Sequence, residues 1–223
     1  MPLLSVVIPA YNAERFLAEA LASVFRNGVL PLEVIVVDDG STDGTKDAVA
    51  GLPVRYLRAE HRGVAAARNI GWRAARGELL AWLDADDRWS PGRLEKQLAA
   101  LASQESSDIV YGHVQQFRSD SEGESLFGPP LPGRLPGTML VRREAFARVG
   151  GFDEALRVGE FMDWLVRSRQ HALNEVMLES VCLERRIHDS NLGIVARDRR
   201  RDYLLVARRS LAQGRLTEPK RDG

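Results

Sequence analysis

The chain has 223 residues, 44% hydrophobic and 28% charged, which suffices for one sizeable core with a small appended lobe and leaves little room for two full domains. Its 31 basic and 31 acidic residues cancel, so no global electrostatic pull toward nucleic acid or an anionic membrane is expected. The single cysteine, Cys182, excludes an intramolecular disulfide and fits a reducing compartment. The apolar start from Leu3 to Ala10 is too short for a secretion leader and lacks a basic flank. No run reaches the ~18–20 apolar residues of a membrane helix. These features predict a cytoplasmic protein with no transmembrane segment, peripheral to a membrane at most.

Two periods alternate over the first hundred residues. Leu4 to Ile8 is a short apolar run of buried-strand type, ended by Pro9. Phe16, Leu17, Ala20, Leu21 and Val24 then repeat at helical spacing. Val34 to Val37 is a second strand, running into Asp38-Asp39-Gly40, and Ser41 to Thr45 supplies turn and cap chemistry for a following helix. Val54 to Leu57 predicts a weaker third strand, and Gly63 to Ala75 an alanine-rich helix. A fourth strand, Leu79 to Leu83, runs into Asp84-Ala85-Asp86-Asp87. Pro91 suits the first position of a helix carrying Leu94, Leu98 and Leu101 on one face. Strand-helix alternation of this kind predicts an α/β fold, a mostly parallel sheet flanked by helices.

After Asp108 the texture changes. Ile109 to Phe117 reads as a strand, and Ser119 to Gly137, with four prolines, as a long loop able to close over a ligand. A short strand at Met139 to Val141, a short helix, a helix from Glu160 to His171 and a strand from Val176 to Ile187 follow. A basic helix closes the chain. From Arg197 onward nine bases face four acids, a net of +5, which reads as a solvated face or as a contact for an acidic partner or membrane surface.

In an open parallel sheet, ligands bind beyond the carboxyl ends of the strands, where the strand order switches. The second and fourth strands both end there in acids. Carboxylates at i and i+2 just past a strand are hard oxygen ligands, suited to Mg²⁺ or Mn²⁺. Such an ion commonly takes one or two carboxylates together with phosphate oxygens, and it neutralises charge developing on a diphosphate leaving group.

Four blocks in order carry a family resemblance: Val6-Val7-Ile8-Pro9-Ala10-Tyr11-Asn12, Val36 to Thr45, Gly63 to Gly71 with Ala67-Arg68-Asn69, and Leu83 to Asp87. The chain resembles the family 2 glycosyltransferases, strongly over residues 3 to about 100 and more loosely over 137–190. The resemblance implies a GT-A fold in a single domain over 1–223. Its parts are a nucleotide-sugar-binding half (1–107), an acceptor half (108–195) and the basic C-terminal helix and tail (196–223). It implies transfer of a sugar from a nucleotide-diphosphate donor, a UDP-sugar above all, to an acceptor hydroxyl, with Mn²⁺ or Mg²⁺ and inversion at the anomeric carbon. The acceptor is a saccharide, a lipid-linked group, a peptide or a small molecule.

Carried over by position, Tyr11 stands beside the nucleotide base, with Pro9 offering backbone contacts. Asp39, or its neighbour Asp38, reads the edge of a uracil-type base. Arg68 meets the phosphates, Asp84 holds the ribose or a water of the metal, and Asp86 binds the metal directly. His188 completes the metal shell or touches the diphosphate, and Arg186, two residues earlier and so on the same face of a strand, meets the phosphates. Trp89, just after the acids, is a candidate wall of the acceptor pocket.

The acceptor half departs from the pattern. Family members carry a Glu-Asp pair before a helix, its Asp the general base, then a further Asp and an Arg. With Arg167 matched to that Arg, Phe161 stands where the base belongs, and a phenylalanine takes no proton. Glu160 and Asp163 remain, on one helix face at i and i+3, and either is within the chemistry of a base. The alternative is a catalytically silent member that binds a nucleotide sugar or a partner enzyme.

Overall fold

Nine strands form a single sheet in the order β3-β2-β1-β4-β8-β6-β9-β5, with β7 paired to β6. The computed structural model describes residues 3–28, 32–104, 106–120 and 123–188, so the expected basic segment 196–223 lies outside the described residues. The strands β1 (Leu4–Ala10), β2 (Leu32–Asp38), β3 (Arg55–Arg58) and β4 (Leu79–Trp82) are parallel. The remaining strands are β5 (Arg88–Trp89), β6 (Ile109–Asp120), β7 (Gly123–Gly133), β8 (Leu140–Arg142) and β9 (Glu175–Arg186). Of these, β8 joins β4 antiparallel, β6 joins β8 antiparallel, and β9 runs parallel to β6. The second half of the sheet is therefore mixed where the first half is parallel.

Alternation along β1 sorts the core onto two faces. Leu4, Val6 and Ile8 pack with Leu17, Leu21 and Val24 of α1 (Leu17–Phe25) and with Leu94 and Leu101 of α3 (Arg93–Ser103). Val7 packs on the other face with α2 (Val64–Ala74), α4 (Arg143–Val149) and α5 (Glu160–Gln170), through Ala67, Phe146 and Trp164. Small residues let α2 lie close to β1. A Cβ at Gly71 would sit 2.2 Å from a Val7 methyl, so any side chain there would lift the helix from the sheet.

Pro9 does not end its strand, which runs on to Ala10 between two neighbours. The polar groups of Val7 point toward β4, since the Leu83 N–H donates to the Val7 carbonyl. Pro9 has the same parity, and β4 ends opposite Val7. The missing N–H therefore faces a side where no ladder continues.

Three further expectations are corrected. Ser41 to Thr45 does not open a full helix; only a 3₁₀ turn, Asp47–Val49, follows. Its side chains serve another element instead. Ser41 Oγ accepts the Asn12 N–H at 2.9 Å, Thr45 Oγ1 that of Ala13 at 2.8 Å, and Asp43 that of Glu14 at 3.1 Å, so they cap the approach to α1. Pro91 precedes α3 by two residues, because left-handed Gly92 occupies its cap. The long loop expected over Ser119 to Gly137 is mostly β7, the second arm of a hairpin with β6. Its prolines are compatible with a strand because β7 pairs only with β6 among the described residues, and Pro129 and Pro130 fall where the register breaks. Gln115 bridges that break through its amide, donating to the Phe127 and Gly128 carbonyls.

At the opposite edge of the parallel strands, Glu33 ties three elements. It accepts the Ser5 hydroxyl at 2.6 Å and both the backbone and the guanidinium of Arg76 at 2.9 Å. Burial pushes its carboxyl up, but these hydrogen bonds outweigh burial and hold it below the usual carboxylate range. A depressed folded pKa adds stability above the unfolded value, about 4.3, which is lost as pH falls through the folded one. Glu33→Gln should cost roughly 1–2 kcal/mol near pH 7. The gap in melting temperature to the wild type should close as the pH drops below about 4. A gap that stays constant with pH would show that the carboxylate charge is not what ties these strands.

Candidate active site

The carboxyl ends of β1, β2 and β4 meet at one edge, where the chain order switches about β1. Each contributes a polar turn. After β1 come Tyr11 and Asn12, the latter with φ +49, a left-handed conformation that Asn tolerates. Its side-chain oxygen accepts the Thr42 N–H at 2.9 Å, so the first and second turns interlock.

The two aspartates after β2 differ in environment. Asp38 is fully buried, accepting the Ser41 N–H at 2.7 Å and the Tyr56 hydroxyl. Burial raises its pKa, and the Ser41 and Tyr56 hydrogen bonds more than offset this. Tyr56, half-buried beside that carboxylate, is pushed up to about 12 by desolvation and by its hydrogen bond to Asp38. Asp38 is thus committed to shaping the turn. Asp39 is also buried but caps the entry to α2: the Arg62 N–H donates to Oδ1 at 2.9 Å and the Gly63 N–H to Oδ2 at 2.8 Å. His61 adds its Nδ1 at 3.1 Å from Oδ2 and stacks on Tyr11, ring centroids 4.1 Å apart.

Arg68 lies on α2 at 4% exposure. Its two terminal nitrogens are both engaged, one by Asp84 at 2.7 Å and the other by Glu160 at the start of α5. The guanidinium expected to meet phosphates therefore joins the acid turn after β4 to the first residue of α5. Gly159, left-handed at φ +80, caps that helix and delivers Glu160 to it. Asp163 goes elsewhere. It pairs with Arg167 at 2.8 Å, and Arg167 donates to the Val149 and Gly151 carbonyls, holding the turn after α4. Phe161 is buried in an aromatic group, stacked on Trp164 at 5.9 Å and beside Phe152 at 6.4 Å.

The acids after β4 are crowded. Asp86 sits 3.0 Å from His188 Nε2. Burial, then the charge of Asp84, push its carboxyl up, with His188 pulling the other way. Asp87 is buried, accepts the Arg186 N–H at 2.9 Å, and is pushed well up by burial and by Asp86 and Asp84. Among the described residues no three His, Cys, Asp or Glu side chains converge as a ready cation cluster; the protein brings one carboxylate and one imidazole together. Arg186 donates to the Asp86 carbonyl and to Glu19, and its guanidinium lies over Phe16 and Phe117. Glu19 also binds Arg88, which holds Glu124 of β7 and Glu184 of β9. This support was not foreseen, because its members are far apart in sequence and carry no motif. Trp89 is 1% exposed in the core beneath Arg93, which rules it out as a wall of an acceptor pocket.

A parallel half-sheet with acid turns at its switch point, continued by a mixed half, defines a GT-A-type architecture. Residues 5–150 match the family described as Glycosyl transferase family 2, and the chain belongs to that family. An uncharacterized glycosyltransferase of Rickettsia typhi is 28% identical over 226 residues, 91% of this chain and 69% of its own length. One from Rickettsia felis is 30% identical over 211 residues, 84% of this chain. The chain spans only 34% of that relative's length. The structure of Staphylococcus aureus TarS 1-349 in complex with UDP-GlcNAc superimposes with a TM-score of 0.71 at 21% identity, over 84% of this chain and 59% of that one. Among the described residues no helix is long and apolar enough to cross a membrane.

Arg68→Met should leave Asp84 and Glu160 without their shared cation and lower stability by roughly 2–4 kcal/mol. Adding Glu160→Gln should restore part of that loss. Thermal melts of the two single variants and the double variant read the coupling, and strict additivity would show that the bridge is not a unit.

Proposed function

We propose that this domain transfers a sugar from a UDP-sugar to an acceptor hydroxyl, with Mn²⁺ or Mg²⁺ and with inversion at the anomeric carbon. The observation that carries the reading is the meeting of Tyr11 and Asp39 with the Asp84–Asp87 turn at the switch point of the sheet, tied by Arg68 to Glu160. The fold shared with TarS, whose structure was solved with UDP-GlcNAc, supports it. The buried thiol of Cys182 fits a reducing, cytoplasmic setting.

In this reading Tyr11 takes the base against its exposed ring, and Asp39 receives a base N–H at Oδ2. Asp86 and His188 suit a divalent cation: one hard oxygen and one imidazole, with diphosphate oxygens and water left to fill the remaining positions. Bound, the cation would neutralise charge gathering on the departing diphosphate. Glu160 is the base. Of the two acids on α5 it is the one linked through Arg68 to Asp84, whereas Asp163 is a positioning residue for the turn at 149–151. Arg68 fixes the Glu160 carboxylate toward the acid turn, which limits the orientations it can take when an acceptor hydroxyl approaches.

A second reading, a silent binder of nucleotide sugars, is favoured by Phe161, which fills the family's base position with core rather than with a carboxylate. Calorimetry and turnover separate the two. UDP should bind in a Mn²⁺-dependent manner, and Asp86→Ala should weaken that binding at least about tenfold. Glu160→Gln should keep UDP binding and lose roughly 10²–10⁴-fold in turnover of a UDP-sugar. Unchanged turnover would remove Glu160 from the base role. UDP binding without turnover of any UDP-sugar in the wild type would favour the silent reading.

A further inference from the structure

The two contacts that the proposed nucleotide reading reserves for the base are both made by one side chain of the protein itself. The His61 imidazole lies against Tyr11 with ring centroids 4.1 Å apart and an interplanar angle of 26°. Its Nδ1 sits 3.1 Å from Asp39 Oδ2 and 3.0 Å from the Asp39 carbonyl oxygen. A carbonyl and a carboxylate only accept, so Nδ1 carries a proton and donates to both. His61 thus presents a flat ring to Tyr11 and an N–H to Asp39, the same pair of contacts that a uracil imide would make.

We infer that His61 is an internal stand-in for the nucleobase, a competitor that leaves Tyr11 and Asp39 Oδ2 when a base arrives. The inference rests on the base lying at Tyr11 and Asp39, as proposed above. Three features make the ring displaceable while its backbone stays. The side chain is 58% exposed, and Tyr11 is 48% exposed. The loop beneath is fixed without the ring, because the Arg62 and Gly63 N–H groups already hold the Asp39 carboxylate. Gly40, at φ +82, lets that loop lie close, since a Cβ there would meet the His61 backbone nitrogen at 3.1 Å. Removing the ring therefore opens the base position without loosening its frame. A base that offers an N–H restores the lost donor at Oδ2, and one that offers only a lone pair there does not. The exchange thus favours uracil over a base of the latter kind.

Calorimetry of UDP binding with Mn²⁺ tests this in the wild type and His61→Ala. The contacts His61 gives up are one N–H shared between two Asp39 oxygens and one ring stack, so His61→Ala should bind UDP about 3–10-fold more tightly. Pyrophosphate, which has no base, should bind both proteins alike. The gain should shrink in a Tyr11→Ala background, where only the Asp39 contact is left to exchange. Equal or weaker UDP binding by His61→Ala overturns the inference while leaving the nucleotide reading in place, and so does an equal gain for pyrophosphate. If neither protein binds UDP, both the inference and the reading beneath it fall.

Discussion

A guanidinium removed from water needs acceptors, and at Arg68 the fold supplies two carboxylates. Asp84 comes from the turn after β4 and Glu160 from the start of α5. Burial disfavours the charged guanidinium, and the two carboxylates reverse this and raise its pKa. Those elements belong to different halves of the domain, so the position of α5 relative to the parallel strands is set electrostatically as well as by packing. Its aromatic residues, Phe161 and Trp164, join Phe146, Phe152 and Trp82 on the same face of the sheet. A buried ion pair is weak evidence for stability in itself. Here it fixes geometry: it sets where the acid turn faces and where the candidate base is carried.

The parallel half was legible in the sequence because its elements obey local rules. Apolar runs of four or five residues, helical spacing from Phe16 to Val24, and acids just past two strands all report structure within a short window. The candidate acids followed from that, since strand ends in a parallel sheet converge. Misreadings arose where the partner of a residue lies far along the chain. Ser41 and Thr45 look like caps for their own helix, yet they serve Asn12 and Ala13, about thirty positions earlier. The prolines of β7 read as loop because the edge position that tolerates them is a tertiary fact. Neither Arg68 bridging two carboxylates nor Arg186 serving Asp86, Asp87 and Glu19 has a local signature.

The departure at Phe161 gains meaning from the same contrast. Sequence alone marks it as a missing carboxylate. In the fold it is a buried ring stacked on Trp164, so returning an acid there would strand a charge among aromatic side chains at a cost of several kcal/mol. In the proposed reaction the base role passes instead to Glu160, the neighbouring acid that Arg68 links to the acid turn.

The hairpin arm β7 has one more consequence. It carries Leu126, Phe127 and Leu131 outward, an apolar strip on a strand with a single partner among the described residues. Such a strip is a template on which another chain can stack and begin a fibre. Pro129, Pro130 and Pro132 take three amide hydrogens out of that strip, so an incoming strand would find gaps where it needs donors. The residues that disguise this segment as a loop also keep its exposed apolar surface from recruiting copies of itself.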